Sequence, residues 1–385
     1  MKIMSIVGAR PNFMKVAPFV RAIQRYNQSR AAAGQIQHIL VHTGQHYDPT
    51  MSEVFFHELG IPAPDINLEV GSGTHAYQVG QTMIAFEKVL LEIQPDWVIV
   101  IGDVNATAAC SLTARKYGIR VAHIEAGLRS FDWTMPEEVN RVVTDRLSNL
   151  LFTPDRLADE NLRREGVSTV TICCVGNIMI DTLEYERPHA SALDINQIIS
   201  ANQLPDQRNS VHLEAGRFAL LTLHRPANVD AKDRLGPLLE TFLTIANIMP
   251  IIFPVHPRTR TRLVEFGFWQ RLCDHSQLIL TRPLGYRDML RLNMDAKVVL
   301  TDSGGLQEEC LVLGTHCLTM RENTERPITL TEHSGTNRLV GTEPAVVLAA
   351  FHAIQNIPRR VHLPELWDGA TAERILTKLI GAACQ

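Results

Sequence analysis

Short apolar runs recur along the chain, and polar chemistry begins abruptly where each one ends. Lys2–Val7 is followed by Gly8-Ala-Arg-Pro-Asn-Phe-Met-Lys15, and His38–Val41 by His42-Thr-Gly-Gln-His46. Trp97–Ile101 is followed by Gly102-Asp103, and Val121–Ile124 by Glu125. Unbroken apolar runs of this length fit buried parallel strands better than half-exposed ones. Between them lie helical patterns, one placing Val16, Phe19, Val20 and Ile23 on one side and another ending near Ile93 before Pro95. The second half repeats the logic. Phe218–Leu223 runs into His224-Arg225, Ile251–Val255 into His256-Pro-Arg258, and Val298–Thr301 into Asp302-Ser-Gly-Gly-Leu-Gln-Glu-Glu309. Alternating strand and helix patterns predict α/β domains with parallel sheets. A polar, irregular section from about residue 176 to about 216 marks the boundary between two of them.

The stretch 121–141 concentrates the charge. After the run ending at Ile124 come Glu125, a loop with Arg129 and Asp132, and a helix opening near Thr134. Val139, Val142, Val143, Leu147 and Leu150 fit one apolar face of that helix. Two readings stand for Glu137: a partner of Thr134 in a capping box, or a group that does chemistry. Glu138 and Arg141 read equally as a solvated face, and Asp103 as a cap for the helix beginning around Asn105. Asp103 and Glu125 end successive strands that are expected to lie side by side. Loops at the carboxyl ends of such strands are where ligands bind in open α/β sheets.

Composition narrows the class. A chain of 385 residues is too long for one small core and predicts two domains. A net charge of −4 offers no basic field for nucleic acid. Seven cysteines include no Cys-x-x-Cys pair and read as reduced, mostly buried side chains without metal. The chain opens directly on a strand and has no long apolar run, which predicts a cytoplasmic protein without membrane contact. Gly71-Ser-Gly-Thr74 lacks the third glycine of a dinucleotide fingerprint.

The remaining signals point to an anion. Ser303, Gly304 and Gly305 after a strand permit close backbone approach to a ligand at a helix N-terminus, although no Walker lysine follows. Arg10, Lys15, Arg225, Arg258, Arg321 and Arg326 could hold phosphates. Were the ligand a sugar diphosphate, Asp103, Glu125 and Glu137 would address the sugar. With no nicotinamide site, inverting a carbon beside the anomeric centre calls for elimination of the diphosphate to a glycal and re-addition. That route needs one carboxylate as base, one as acid, and a clamp on the leaving group.

Nine motifs, matched in order, carry a resemblance along essentially the whole chain: Gly8-Ala-Arg-Pro with Lys15, Gly102-Asp103, His123-Ile-Glu-Ala-Gly-Leu-Arg129, Pro136-Glu-Glu-Val-Asn-Arg141, His224-Arg225, Pro254-Val-His256, Thr301-Asp-Ser-Gly-Gly-Leu-Gln-Glu-Glu309, Thr324-Glu-Arg-Pro327 and Asp368-Gly-Ala. The chain resembles the non-hydrolysing UDP-N-acetylglucosamine 2-epimerases. The resemblance implies a glycosyltransferase-B-like α/β fold, with two Rossmann-like domains facing across a cleft. These would span 1–176 with 366–385, the last helix crossing back, and 177–365. It implies catalytic roles for Asp103, Glu125, Glu137 and His224, and nucleotide contacts at Arg10, Lys15, His256, Ser303, Gly304 and Glu309. Further substrate contacts would fall on Arg129, Asn140, Arg141, Arg225, Gly305 and Arg321. A second UDP-N-acetylglucosamine, acting as activator, would meet Gln45, His46 and His256. The implied enzyme is a homodimer that needs no cofactor or metal. It interconverts UDP-N-acetylglucosamine and UDP-N-acetylmannosamine for surface polysaccharide precursors. Where many members carry His-Arg-Arg-Glu, this chain has His224-Arg-Pro-Ala-Asn-Val-Asp230. A 2-epimerase of a UDP-2,3-diacetamido uronic acid stays open on that account, and a hydrolysing enzyme that releases N-acetylmannosamine and UDP is the other alternative.

Overall fold

The apolar runs become parallel strands in two separate sheets. A computed structural model describes residues 1–8, 10–44, 60–207 and 212–383, excepting the side chains of Arg10, Pro11 and Ala383. The first sheet comprises β1 (Lys2–Val7), β2 (Gln37–His42), β3 (Ile66–Asn67), β4 (Trp97–Ile101), β5 (Arg120–Ile124), β6 (Leu150–Thr153) and β7 (Ile172–Cys174). Its order is β3-β2-β1-β4-β5-β6-β7, with parallel pairing throughout. The second comprises β8 (Ala219–Thr222), β9 (Ile251–Pro254), β10 (Leu278–Thr281), β11 (Val298–Thr301), β12 (His316–Thr319) and β13 (Asn337–Leu339). Its order is β10-β9-β8-β11-β12-β13, again parallel. Among the described residues, helices connect most successive strands and cover the sheets, and every residue of β4, β9, β10, β11 and β12 is buried. This is the glycosyltransferase-B-like class: two Rossmann-like α/β units.

In each sheet the first strand lies in the middle, and the connections leave it in opposite directions. The order therefore reverses between β1 and β4 in one sheet and between β8 and β11 in the other. At such a point the loops leaving neighbouring strands diverge and open a crevice.

The chain divides into Met1–Thr182 with Pro364–Gln385, and Leu183–Leu363. The first division falls inside the helix Ile178–Ser191. The section expected to be irregular is therefore partly helical, Ile195–Asn202 forming a further helix. Gly176–Asp181 leads into a helix instead of closing a strand, because β7 has already ended at Cys174.

The returning segment is seated by several independent contacts within the first unit. The Asp181 carboxylate accepts from Thr371 N at 3.0 Å and Ala372 N at 2.7 Å, capping the helix Thr371–Ala383. Trp367 Nε1 donates to the Pro154 carbonyl at 2.9 Å. Arg374 donates to the carbonyls of Val175 and Leu366 while pairing with Asp368. Gly176, at φ +90°, lies so close to Leu366 that a β-carbon would stand 2.1 Å from its carbonyl oxygen.

Gly176→Ala should therefore meet both a strained backbone and a backbone collision. The expected loss is roughly 2–4 kcal/mol in urea unfolding. An unchanged unfolding midpoint would show that the returning segment is not seated against this glycine.

Candidate active site

In the first unit, the loops at the order reversal bring four charged side chains together. Gly102 follows β4 at φ +69° and donates from its N–H to the Ile124 carbonyl at 3.0 Å. A β-carbon on it would stand 3.2 Å from Glu125 Oε2 and 3.3 Å from Lys15 Nζ. Glycine thus leaves room for the buried Lys15–Glu125 ion pair, which links the helix Arg10–Gln28 to the end of β5. Glu125 itself has φ +71°, a conformation that non-glycine residues hold mainly where the surroundings impose it. Asp103, half-buried, accepts from Arg141 Nη1 at 2.8 Å. Asn140 Nδ2 donates to the Asp103 carbonyl at 2.9 Å. Asn105 opens its helix behind an uncapped Val104, so Asp103 is not a helix cap.

The helix carrying Asn140 and Arg141 corrects the sequence reading of its faces. It spans Pro136–Leu147, and its buried side is polar: Glu138, Asn140, Arg141, Thr144 and Asp145. Val139 and Val143 are exposed, and Leu150 belongs to β6. Thr134 does not cap it; the N-cap is Met135, and the Thr134 hydroxyl bonds Asp132 instead. Glu138 is no solvated charge. It accepts from Ser130 N, Ser130 Oγ and Phe131 N at 2.9 Å each, and from Arg141 Nε at 3.1 Å. Glu137 stands exposed in the first turn, on the face it shares with Asn140 and Arg141 by three- and four-residue spacing.

Arg129, expected to touch substrate, is instead buried and engaged on all sides. Its Nε and Nη2 donate to Glu165 at 2.7 Å, and its Nη1 lies 2.7 Å from Asp145. Asp145 also holds His123 at 2.6 Å. Burial pushes the Asp145 carboxyl up, but the charges and hydrogen bonds of His123 and Arg129 outweigh it and hold the group below its ordinary range.

The second unit repeats the arrangement. His224 and Arg225 follow β8, and Asp302 follows the adjacent β11. Asp302 accepts from the backbone N–H groups of His224 at 3.0 Å and Arg225 at 2.8 Å, and lies 3.0 Å from His224 Nδ1. Burial opposes its charge, yet these contacts hold it below the usual range. The partly exposed His224 ring lies 5.6 Å from that of His256, which caps the helix Pro257–Glu265. Arg258 is paired with Asp230 instead of standing ready for phosphate.

The helix Gly304–Leu313 starts behind Ser303 with no side-chain cap, leaving N–H groups and the positive dipole end for an anion. The two glycines differ from the expectation that both serve ligand approach. A β-carbon on Gly304 would lie 2.6 Å from both Arg326 Nη1 and Glu325 Oε1, whereas Gly305 faces open space. Gly304 accommodates an internal ion pair. Arg326 is taken up by Glu308 and Glu325, and Arg321 Nη2 donates to Glu325 at 2.8 Å. Arg321 Nη1 is buried without a hydrogen-bond partner among the described residues. Burial pushes Glu309 up to about 7, an effect that Tyr286 and Asn293 beside it offset only in part.

Gln45, His46 and the Arg10 side chain lie outside the described residues. Sequence reasoning missed the partners: His123 with Asp145, Glu138, and the two carboxylates Glu308 and Glu325 on Arg326. One signal was available, a histidine standing inside the apolar run Val121–Ile124.

A family model described as UDP-N-acetylglucosamine 2-epimerase matches residues 28–380. Over 379 residues the chain is 42% identical to UDP-N-acetylglucosamine 2-epimerase of Methanocaldococcus jannaschii, covering 98% of each. The crystal structure of that organism's enzyme in complex with UDP-GlcNAc and UDP superposes with a TM-score of 0.87 at 40% identity, covering 99% of this chain and 100% of the other. UDP-2,3-diacetamido-2,3-dideoxy-D-glucuronate 2-epimerase of Pseudomonas aeruginosa is 40% identical over 344 residues, covering 89% of this chain and 88% of its own.

Glu309 makes the stability of the ligand-free protein depend on pH. Its folded pKa of about 7 stands above the ordinary 4.5, so the unfolded chain ionises first. Its contribution is whole below about 4.5 and is lost as pH rises to about 7, at most about 3 kcal/mol. Asp181, pushed up to about 6 by burial, acts with the same sign at lower pH. Glu309→Gln should therefore flatten the fall in thermal stability between about 6 and 7. A parallel pH profile in the variant would show that Glu309 titrates normally.

Proposed function

The chain belongs to the UDP-N-acetylglucosamine 2-epimerase family, and on that premise we propose that it interconverts UDP-N-acetylglucosamine and UDP-N-acetylmannosamine without hydrolysing them. The observation that carries this reading is the pairing at the first unit's order reversal: Asp103 on Arg141, and Glu125 on Lys15. Two carboxylates in one crevice, each on its own cation, are the pair that a base-and-acid route needs. In the proposed reaction a carboxylate takes the C2 proton while the C1–O bond breaks, its electrons leaving with UDP. The glycal then takes UDP back at C1 and a proton at C2 from the other face. Asp103, Glu125 and Glu137 supply base and acid, and His224, oriented by Asp302, assists at the diphosphate.

The helix end at Ser303–Gly305, Arg225, Arg321 and Arg10 are the proposed diphosphate clamp. Glu309, Lys15 and His256 are the proposed nucleotide contacts, and Asn140 and Arg141 are the proposed contacts to the sugar. A second UDP-N-acetylglucosamine at Gln45, His46 and His256 would serve as activator. Among the described residues no helix is long and apolar enough to cross a membrane, in keeping with a cytoplasmic enzyme that supplies polysaccharide precursors. A homodimer is supported by exposed apolar side chains on two helices that pack on Asn105–Lys116: Ile84 and Leu91 on His75–Ile93, Val139 and Val143 on Pro136–Leu147.

Incubation with UDP-N-acetylglucosamine in deuterium oxide should yield both epimers with deuterium at C2. Release of free N-acetylmannosamine would instead make the enzyme hydrolytic. Turnover only of a UDP-2,3-diacetamido uronic acid would move it to the second substrate. Glu137→Gln should lower kcat by roughly two to four orders of magnitude with little change in melting temperature; near-normal turnover would remove Glu137 from the chemistry. Sedimentation at micromolar concentration should give the mass of two chains, and a single-chain mass would exclude the dimer.

A further inference from the structure

His123 is fully buried in β5, and the mechanism above gives it no task. Its ring is held at both ends. Nδ1 lies 2.6 Å from Asp145 Oδ1, and Nε2 lies 2.9 Å from the Gly102 carbonyl oxygen. Both partners are acceptors. A neutral imidazole would aim a lone pair at one of these oxygens, at a site no water reaches, so the ring must donate from both nitrogens.

The surroundings suit that state. Asp145 also accepts from Gly127 N at 3.1 Å and pairs with Arg129, which is in turn engaged by Glu165. With His123 carrying a proton on each nitrogen, the row Glu165, Arg129, Asp145, His123 alternates in sign and sums to zero, its Glu165 end exposed and the other three buried. At the other end of the ring lies the Gly102–Asp103 peptide, whose turn leaves room for Lys15 and Glu125 and sets out the Asp103 side chain toward Arg141.

We propose that His123, donating from both ring nitrogens, is a positioning residue that pins the Gly102–Asp103 peptide and so sets the Asp103 carboxylate relative to Glu125. The inference deepens the proposed function, and only its kinetic arm rests on that reading. His123 touches no substrate. It acts through the Gly102 carbonyl, and an error of about 1 Å in a catalytic group can lower the rate by about a hundredfold.

Two substitutions separate positioning from mere packing. In His123→Gln the amide nitrogen falls near the place of Nε2 and can still reach the Gly102 carbonyl. In His123→Asn it falls near the place of Nδ1 and can reach only Asp145. The asparagine variant should lose about a hundredfold in kcat with KM within about twofold, while glutamine restores most of the loss. Equal losses in both variants, or asparagine the more active, would overturn the proposal and leave His123 a packing residue. Nitrogen-15 NMR of the wild-type protein, assigned through β5, tests the same idea without turnover. It should show two slowly exchanging ring N–H groups on His123 at neutral pH. A single ring N–H would overturn the proposal whether or not the variants fold, and whichever nucleotide sugar the enzyme takes.

Discussion

The constraint on which the structure depends is the parallel sheet whose order reverses at its first strand. Parallel strands need crossovers, crossovers bring helices over the sheet faces, and the carboxyl ends of the strands carry the loops that lead into those helices. At β1–β4 and β8–β11 those loops diverge. Lys15, Gly102, Asp103 and Glu125 gather at the first reversal, and His224, Arg225 and Asp302–Gly305 at the second. Chemistry-bearing residues far apart in the chain thus meet for a topological reason, before any pairwise attraction is counted.

Burying that much charge demands exact pairing. Removing a carboxylate from water is costly unless a cation and hydrogen bonds replace the solvent. Each buried group here has such partners: Glu125 with Lys15, Glu138 with Arg141 and the Ser130–Phe131 amides, Asp145 with His123 and Arg129, Glu325 with Arg321 and Arg326. The two units divide the work by chemistry. The first keeps its acids in ion pairs beside strained turns, and the second keeps an uncapped helix end and a buried arginine donor.

The helix Pro136–Leu147 shows why some of this was hidden from sequence reading. Its valines fitted an apolar stripe, and hydrophobic periodicity placed them inward. The buried face is in fact Glu138, Arg141, Thr144 and Asp145, because the neighbouring loop and strand offer donors that Glu138 and Asp145 satisfy. Periodicity measures apolarity and is blind to partners. The same blindness hid a second demand on Gly304, whose missing side chain leaves room for the Arg326–Glu325 pair.

What the chain determined by itself was local and periodic: strands from unbroken apolar runs, loops where polar residues follow them, two α/β units, and the family from motifs in order. Asp103 and Glu125 could be placed on neighbouring strands because consecutive βαβ units usually pair. Only the tertiary structure decided which charges face inward and which partner each one takes. It placed Arg129 in the interior beside Glu165, set Arg258 on Asp230, and enclosed His123 between two acceptors. The physical reason is that a buried charge is specified by the full set of groups around it, and those groups come from segments tens of residues apart, which no local pattern records.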